Sequence, residues 1–282
     1  MKIPDINSVK NFWENNPLFQ FESKYPVGSE EYFRNHSEIY VNDCFAGKLD
    51  KNLFPNTIIN GDVLDLGCGP GFWVEQIYKF KPNTITAIDL TEKAIELTKK
   101  RCEFLGINVE NKNIFFKQGN AEKLEFKDDS FDHVNCQGVV HHTPDTKQAL
   151  SEICRVTKSG GTALISVYYK NIFLRLWPLI NIIGKLISKL GGGLKGRGRE
   201  KIFEIDDVNE IVRFYDGENN PLGKAYSKKE FISFLPKEVK VIKIFYHFFP
   251  LRSLSFGFLK IFHRVLDRYL PFMIFVMVRK IS

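Results

Sequence analysis

Val63-Leu64-Asp65-Leu66-Gly67-Cys68-Gly69-Pro70-Gly71 is the stretch on which the fold of this chain turns. An apolar run of strand length feeds a glycine-rich turn, and the pattern from Phe72 to Phe80 beyond it predicts a helix. A strand that turns tightly into a helix presents backbone N–H groups at the C-terminal edge of a parallel sheet, where a ligand can approach them closely. The spacing separates the known versions of this turn. A dinucleotide fingerprint needs a third small residue where this chain has Phe72, and a Walker loop needs Gly-Lys-Ser/Thr, which the stretch lacks. Asp65 stands just ahead of the turn, where a carboxylate repels a pyrophosphate and welcomes an ammonium.

Working outward, short β-rich runs alternate with helical ones. Strands are predicted at Thr84 to Ile88, Asn113 to Lys117, Phe131 to Cys136 and Gly161 to Tyr168. Helices are predicted at Thr91 to Leu105 and Asp145 to Val156, with Thr91 and Asp145 as N-caps. That alternation gives βαβ units and a mostly parallel sheet. Polar or glycine residues follow four successive strands: the turn itself, Asp89, Gly119-Asn120 and Gln137-Gly138. They collect on one edge of the sheet. Asp89, at the end of the second strand, suits both hydroxyls of a ribose. Further strands are predicted at Val239 to Phe245 and Phe272 to Val278, and a capping box at Ser227 and Glu230 opens a short helix.

Together, VLDLGCGPG, Asp89, GNAEKLEF (119–126) and FDHVNCQGVVHHTPD (131–145) resemble class I S-adenosylmethionine-dependent methyltransferases of the small-molecule type. The resemblance covers residues 60–168. It implies a Rossmann-like α/β fold: a seven-stranded, mostly parallel sheet with helices on both faces, an antiparallel last strand, and a helical cap from the N-terminal segment and inserts. It divides the chain into a lead-in (1–60), a cofactor-binding core (61–168), an amphipathic lid insert (169–226) and a C-terminal part of the core (227–282) that carries a hydrophobic insert at 247–269. It implies S-adenosyl-L-methionine as cofactor. By position, Asp65 and Gly67 would face the methionine amino group, with Gly69 in the same loop. Asp89 would hold the ribose, Leu90 would pack on the adenine, and Asn120 and Ala121 would meet the adenine edge. Gln137 would lie beside the methionine portion. The family more often has Asp where this chain has Asn120, which keeps the acceptor and loses the charge.

Methyl transfer needs an aligned nucleophile and, for an O–H, N–H or activated C–H, a place for a proton. His141 and His142 follow the fourth strand, where histidine suits a general base. The alternative is that one of them orders the loop. Tyr32, or Tyr25, in the lead-in is a candidate to reach the cofactor carboxylate or the acceptor, with core packing as the competing fate. The remaining histidines show no metal-ligand spacing, so no metal site is expected.

The inserts are greasy and basic. From Ile172 to Leu190 an apolar face (Ile172, Leu176, Leu179, Ile180, Ile183, Leu186, Ile187, Leu190) opposes Asn171, Asn181, Lys185, Ser188 and Lys189, with a kink expected at Pro178. The tract Gly191 to Arg199 reads as a flexible basic linker or lid. Three fates compete for the inserts: a cap sealed on itself, a pocket for a long apolar acceptor, or contact with an anionic membrane. The acceptor is expected to be a small apolar or amphipathic molecule. Alternatives are an RNA or protein methyltransferase, with the strip Lys195, Arg197, Arg199, Lys201 binding the partner, or a non-catalytic cofactor-binding module. Nucleic acid is disfavoured because the basic residues are interleaved with aliphatics.

Composition agrees. The 282 residues are 44% hydrophobic and 26% charged, with a net charge of +7, which excludes wholesale disorder. Five cysteines without a CxxC pair exclude a disulfide framework and a zinc ribbon. The N-terminus has no apolar signal core, and the longest greasy tract, Leu270 to Val278, is too short to span a bilayer. A cytoplasmic protein is expected, or one peripheral to the inner face of a membrane. The sequence is silent on oligomeric state.

Overall fold

The computed structural model describes residues 4–107, 113–189, 199–217, 219–249 and 261–281. The linker tract at 191–198 and the part of the second insert at 250–260 lie outside the described residues. In chain order the strands are β1 (Asp62–Leu66), β2 (Thr84–Asp89), β3 (Ile114–Gln118), β4 (Phe131–Gln137), β5 (Thr157–Tyr169), β6 (Ala225–Tyr226), β7 (Val239–His247) and β8 (Met273–Lys280). They form one sheet in the order β3-β2-β1-β4-β5-β8-β7, parallel except for β8, which runs antiparallel to both β5 and β7. The seven-stranded Rossmann-like arrangement is thus present, with β8 as its antiparallel last strand. An eighth strand, the two-residue β6, pairs with Tyr168 and Tyr169 beyond the end of β4.

Alternation along the strands feeds two cores. Val63, Ile85 and Leu164 face Trp73 and Ile77 of α3 (Phe72–Tyr78) and Ile95 of α4 (Glu92–Phe104). Leu64, Leu66, Val134 and Ile165 face Leu150 and Ile153 of α5 (Thr146–Val156). Helices therefore cover both faces, as parallel sheets require. The lead-in forms α1 (Ile6–Asn15) and α2 (Glu30–Phe45), which lie over the α3–α4 side. Asp5 caps α1 and Ser29 caps α2 through their side-chain oxygens.

One buried cation ties this cap to the glycine turn. Arg101 of α4 is 1% exposed. Its Nε donates to Glu75 Oε2 at 3.0 Å, its Nη1 to the Pro70 carbonyl at 2.9 Å and its Nη2 to the Phe33 carbonyl at 3.1 Å and to Ser37 Oγ. The guanidinium also lies over the rings of Phe33 and Phe72. A single side chain thereby links α2, α3 and the loop before α3.

The first insert differs from its sequence pattern. Its helix is broken into α6 (Ile172–Arg175) and α7 (Trp177–Lys189), with Pro178 in the first turn of α7, where it needs no N–H partner. Of the fates open to its apolar face, a cap sealed on itself is not what forms, because most of that face points outward. Trp177, Asn181 and Gly184 are buried, while Leu179, Ile182, Ile183 and Leu186 are at least half exposed. Asn181 explains the inversion. Its Nδ2 donates to the Ile205 carbonyl and to Asp206 Oδ1, and Trp177 Nε1 donates to the same Ile205 carbonyl at 2.8 Å. A Cβ at Gly184 would lie 2.1 Å from the Phe203 ring, so only glycine admits that contact.

Breaking a buried ion pair costs about 3–5 kcal/mol. We expect Arg101→Met to lower the unfolding free energy by about that amount, measured by denaturant titration, because it strands Glu75 and three carbonyl or hydroxyl acceptors together.

Candidate active site

The C-terminal ends of β1, β2 and β4 surround a cavity of about 630 Å³. The turn after β1 is held against β2, with the Gly67 and Cys68 amides both donating to the Ile88 carbonyl at 2.7 and 3.0 Å. Gly67 has a left-handed φ of +77°, and a Cβ there would lie 2.2 Å from Val139 Cγ2. Gly69 is also left-handed, but nothing stands within 4 Å of where its Cβ would be. That open space lines the cavity. Thr98 of α4 fixes the far side of the turn by donating to the Gly69 carbonyl at 2.7 Å.

Asp89 is preset by its neighbours. Its Oδ2 accepts from the Gly69 amide, and its Oδ1 accepts from the Thr91 amide and hydroxyl. Lone pairs on both oxygens remain for a diol. Burial raises its carboxyl above the ordinary range, against the pull of those donors. Leu90, Asn120 and Ala121 line the cavity beside it. Asn120 Oδ1 is occupied by the Glu122 amide, which fixes the side chain in its turn.

A polar chain runs from Asp65 toward the cavity. Asp65 is buried, and its Oδ1 accepts from Asn135 Nδ2 at 2.7 Å. Because a carboxylate only accepts, Asn135 must present its NH₂ to it and its carbonyl to Gln137, whose Nε2 donates at 2.7 Å. Gln137 Oε1 and Asp65 Oδ2 are then left as buried acceptors with no protein partner. Gln137 lines the cavity, whereas Asp65 lies behind Leu66 and Gly67, which do. Unsatisfied buried acceptors beside an anion are what an ammonium group needs. Burial lifts the Asp65 carboxyl to about 7, with the Asp89 charge adding to it and the Asn135 hydrogen bond opposing it.

Beyond Gln137, the turn Val140–His142 carries both predicted histidines to the cavity wall. His142 Nδ1 lies 2.6 Å from the Leu222 carbonyl and so must carry a hydrogen. His142 Nε2 lies 3.4 Å from Asp216 Oδ2. Asp216 also accepts from the Tyr168 hydroxyl at 2.8 Å. His141 packs against Tyr168 and His142, with neither ring nitrogen hydrogen-bonded, and its burial holds its pKa well below the usual histidine value. Trp13 of α1 meets the His142 ring at 5.2 Å.

Tyr32 is elsewhere. It is fully buried under α2 against Phe33 and Leu97, donates to the Leu18 carbonyl at 3.0 Å and does not line the cavity. Tyr40, two turns further along α2, reaches the cavity instead and accepts from Trp73 Nε1 at 3.2 Å. Sequence reasoning missed Asp216, Tyr168 and Trp13. Only Tyr168, as the last residue of a predicted strand on the cofactor edge, carried a signal.

The methyltransferase-domain family model matches residues 60–183. The demethylmenaquinone methyltransferase of Staphylococcus aureus is 30% identical over 189 residues, covering 59% of this chain and 76% of that protein. An uncharacterized methyltransferase of Bacillus subtilis, YcgJ, is 31% identical over 145 residues, a match that spans half of this chain and 55% of that protein. A SAM-dependent methyltransferase from Methanosarcina mazei superposes with a TM-score of 0.54 at 20% identity, covering 83% of this chain and 98% of the other, and so shares the fold. With the glycine turn, the Asp89 carboxylate and the polar chain in place, the chain belongs to the class I S-adenosylmethionine-dependent methyltransferases. It is an enzyme of that activity, and the fold and the unpartnered acceptors at Asp65 and Gln137 fit that cofactor.

Hydrogen bonds to charged groups are worth about 1.5–3 kcal/mol, so Asp89→Ala is expected to weaken cofactor binding roughly ten- to a hundredfold by calorimetry. Affinity should also depend on pH. Asp65 is protonated below about 7 in the free protein, and an ammonium selects its ionised form, so binding releases a proton. Affinity should therefore rise from pH 5.5 to about 7, by up to roughly tenfold per unit, and Asp65→Asn should flatten the profile.

Proposed function

We propose that the methyl acceptor is a small hydrophobic or amphipathic molecule with a polar reacting end. The carrying observation is the make-up of the cavity. Beyond the cofactor residues its walls are mostly apolar and include Phe19, Leu174, Trp177, Ile180, Phe249 and Phe272, with the His142–Asp216–Tyr168 cluster set among them. Both inserts contribute to this wall, Leu174 and Trp177 from the first and Phe249 from the second. Burying one such side chain against a ligand is worth roughly 1.5–3 kcal/mol, so a few contacts hold an apolar body. The demethylmenaquinone methyltransferase similarity supports an acceptor of this character.

S-adenosylmethionine supplies the electrophilic methyl group when bound. Gln137 and the turn at Gly67 to Gly69 would hold its amino-acid end, and Asp89 and Leu90 its nucleoside. The acceptor's apolar body lies against the aromatic wall, which keeps water from the reacting end. His142 is the proposed base. With Nδ1–H committed to Leu222, Nε2 takes the acceptor proton and holds it against the Asp216 carboxylate 3.4 Å away. Tyr168 positions Asp216. His141, held neutral by burial, offers a hydrogen-bonding ring nitrogen to the acceptor's polar end.

A methyl-transfer screen over hydroxylated quinones, phenols and amphipathic polar molecules, read by mass spectrometry, tests the acceptor class. Turnover confined to water-soluble polar molecules, or to RNA or protein, would overturn it. In single-turnover assays with an accepted substrate, His142→Asn is expected to slow methyl transfer by about 10²–10⁴-fold while leaving cofactor binding within about twofold. Asp216→Asn should slow it less, by holding the His142 proton less well.

A further inference from the structure

We infer that the outer face of α7, together with α10 (His263–Tyr269), is a docking surface for an anionic lipid bilayer. The α7 helix is seated through a narrow arc, Trp177, Asn181 and Gly184. Its opposite arc is apolar and in solvent, with Leu179, Ile182, Ile183 and Leu186 each at least half exposed. Among the described residues these four aliphatic side chains form one exposed arc, and contiguous apolar patches of this kind mark interaction surfaces. A second such surface stands nearby on the other insert, where Ile261, Phe262, Val265 and Tyr269 are each more than half exposed. The two are joined by a row of rings. Phe173 of α6 lies 6.1 Å from Phe272, Phe272 lies 6.0 Å from Phe249, and Phe249 lies 6.5 Å from His263 of α10.

Charge identifies the occupant. Residues 170–189 contain Lys170, Arg175, Lys185 and Lys189 and no acid at all. On α10, Arg264 and Arg268 are exposed, while its one acid, Asp267, is buried and bonded to His247 at 2.7 Å. Lys185 pairs with the exposed Asp206 at 3.5 Å, and Asp206 is not on the helix itself. An apolar strip rimmed by cations is the pattern of a helix lying in the interface of an anionic membrane. A second copy of this chain fits poorly, because a twofold contact would press two cationic rims together. No helix among the described residues is long and apolar enough to cross a membrane. The surface is independent of the acceptor's identity: a protein that methylates a water-soluble molecule would still dock if this inference holds.

The full chain should be mixed with phosphatidylcholine vesicles, with and without phosphatidylglycerol, and vesicle-bound protein measured by flotation. We expect binding to the mixed vesicles only, weakened by salt. Ile183→Asn with Leu186→Asn should lower it by roughly tenfold or more, and Lys185→Gln with Lys189→Gln by about tenfold. Calorimetry with S-adenosylmethionine checks that each variant is folded. Should the apolar pair of substitutions disturb folding, the exposed lysine pair decides. Absence of binding to mixed vesicles, or binding that ignores the lysine substitutions, overturns the inference. So does a wild-type dimer in analytical centrifugation that Ile183→Asn with Leu186→Asn converts to a monomer, since a second copy would then own this face.

Discussion

The guanidinium of Arg101 is the point on which cap and core both depend. A fully buried cation is tolerable only when its donors are satisfied, and here they are satisfied by four different places in the chain: Glu75, Pro70, Phe33 and Ser37. Those partners are not interchangeable. Pro70 belongs to the turn that faces the cofactor, and Phe33 and Ser37 belong to the helix that roofs it. The position of α2 is therefore set by the same charge that fixes the back of the turn. The aromatic layer follows from it, with Tyr40 stacked on Phe72 at 4.4 Å and edge-on to Trp73.

The cofactor edge was legible from residues alone because its chemistry is local. A strand, a turn with three left-handed glycines at 67, 69 and 71, and an acid ending the next strand are all written within thirty residues. The βαβ pattern and the caps at Thr91, Asp145 and Ser227 likewise depend on periodicity and neighbours, whereas the antiparallel last strand follows only from the family resemblance. Arg101 was not legible. In the run Lys99-Lys100-Arg101 it reads as one more solvated charge, and only tertiary packing buries it. Asp216 is the same case, since the distance in sequence from Tyr168 and His142 hides their meeting. Tyr32 is buried away from the cavity, and an aromatic residue in the lead-in does not reveal which turn of α2 faces it.

Helix α7 shows the converse limit. Its apolar stripe is legible as a stripe, but its direction stays open between the cap, pocket and membrane fates. Periodicity identifies two faces and normally the apolar one goes inward. Here two hydrogen bonds from Asn181 and one from Trp177 to the segment at 205–206, together with the Gly184–Phe203 contact, seat the other face. Directional bonds outweighed area, which no hydrophobic pattern can report.

Glu14 has a consequence beyond its own helix. Its two carboxylate oxygens accept from the Glu92 and Lys93 amides, so a residue of α1 closes the first turn of α4 beside Thr91 and Asp89. One residue earlier, Trp13 of the same helix rests on His142. The cavity walls beside Asp89 and at His142 are thus both braced by one turn of a single helix. A shift of that turn away from His142 would also draw Glu14 from the Glu92 and Lys93 amides, a loss of about 1 kcal/mol for a missing cap. Space beside His142 and closure of α4 beside Asp89 are therefore not independent, because neighbouring residues on one turn serve both.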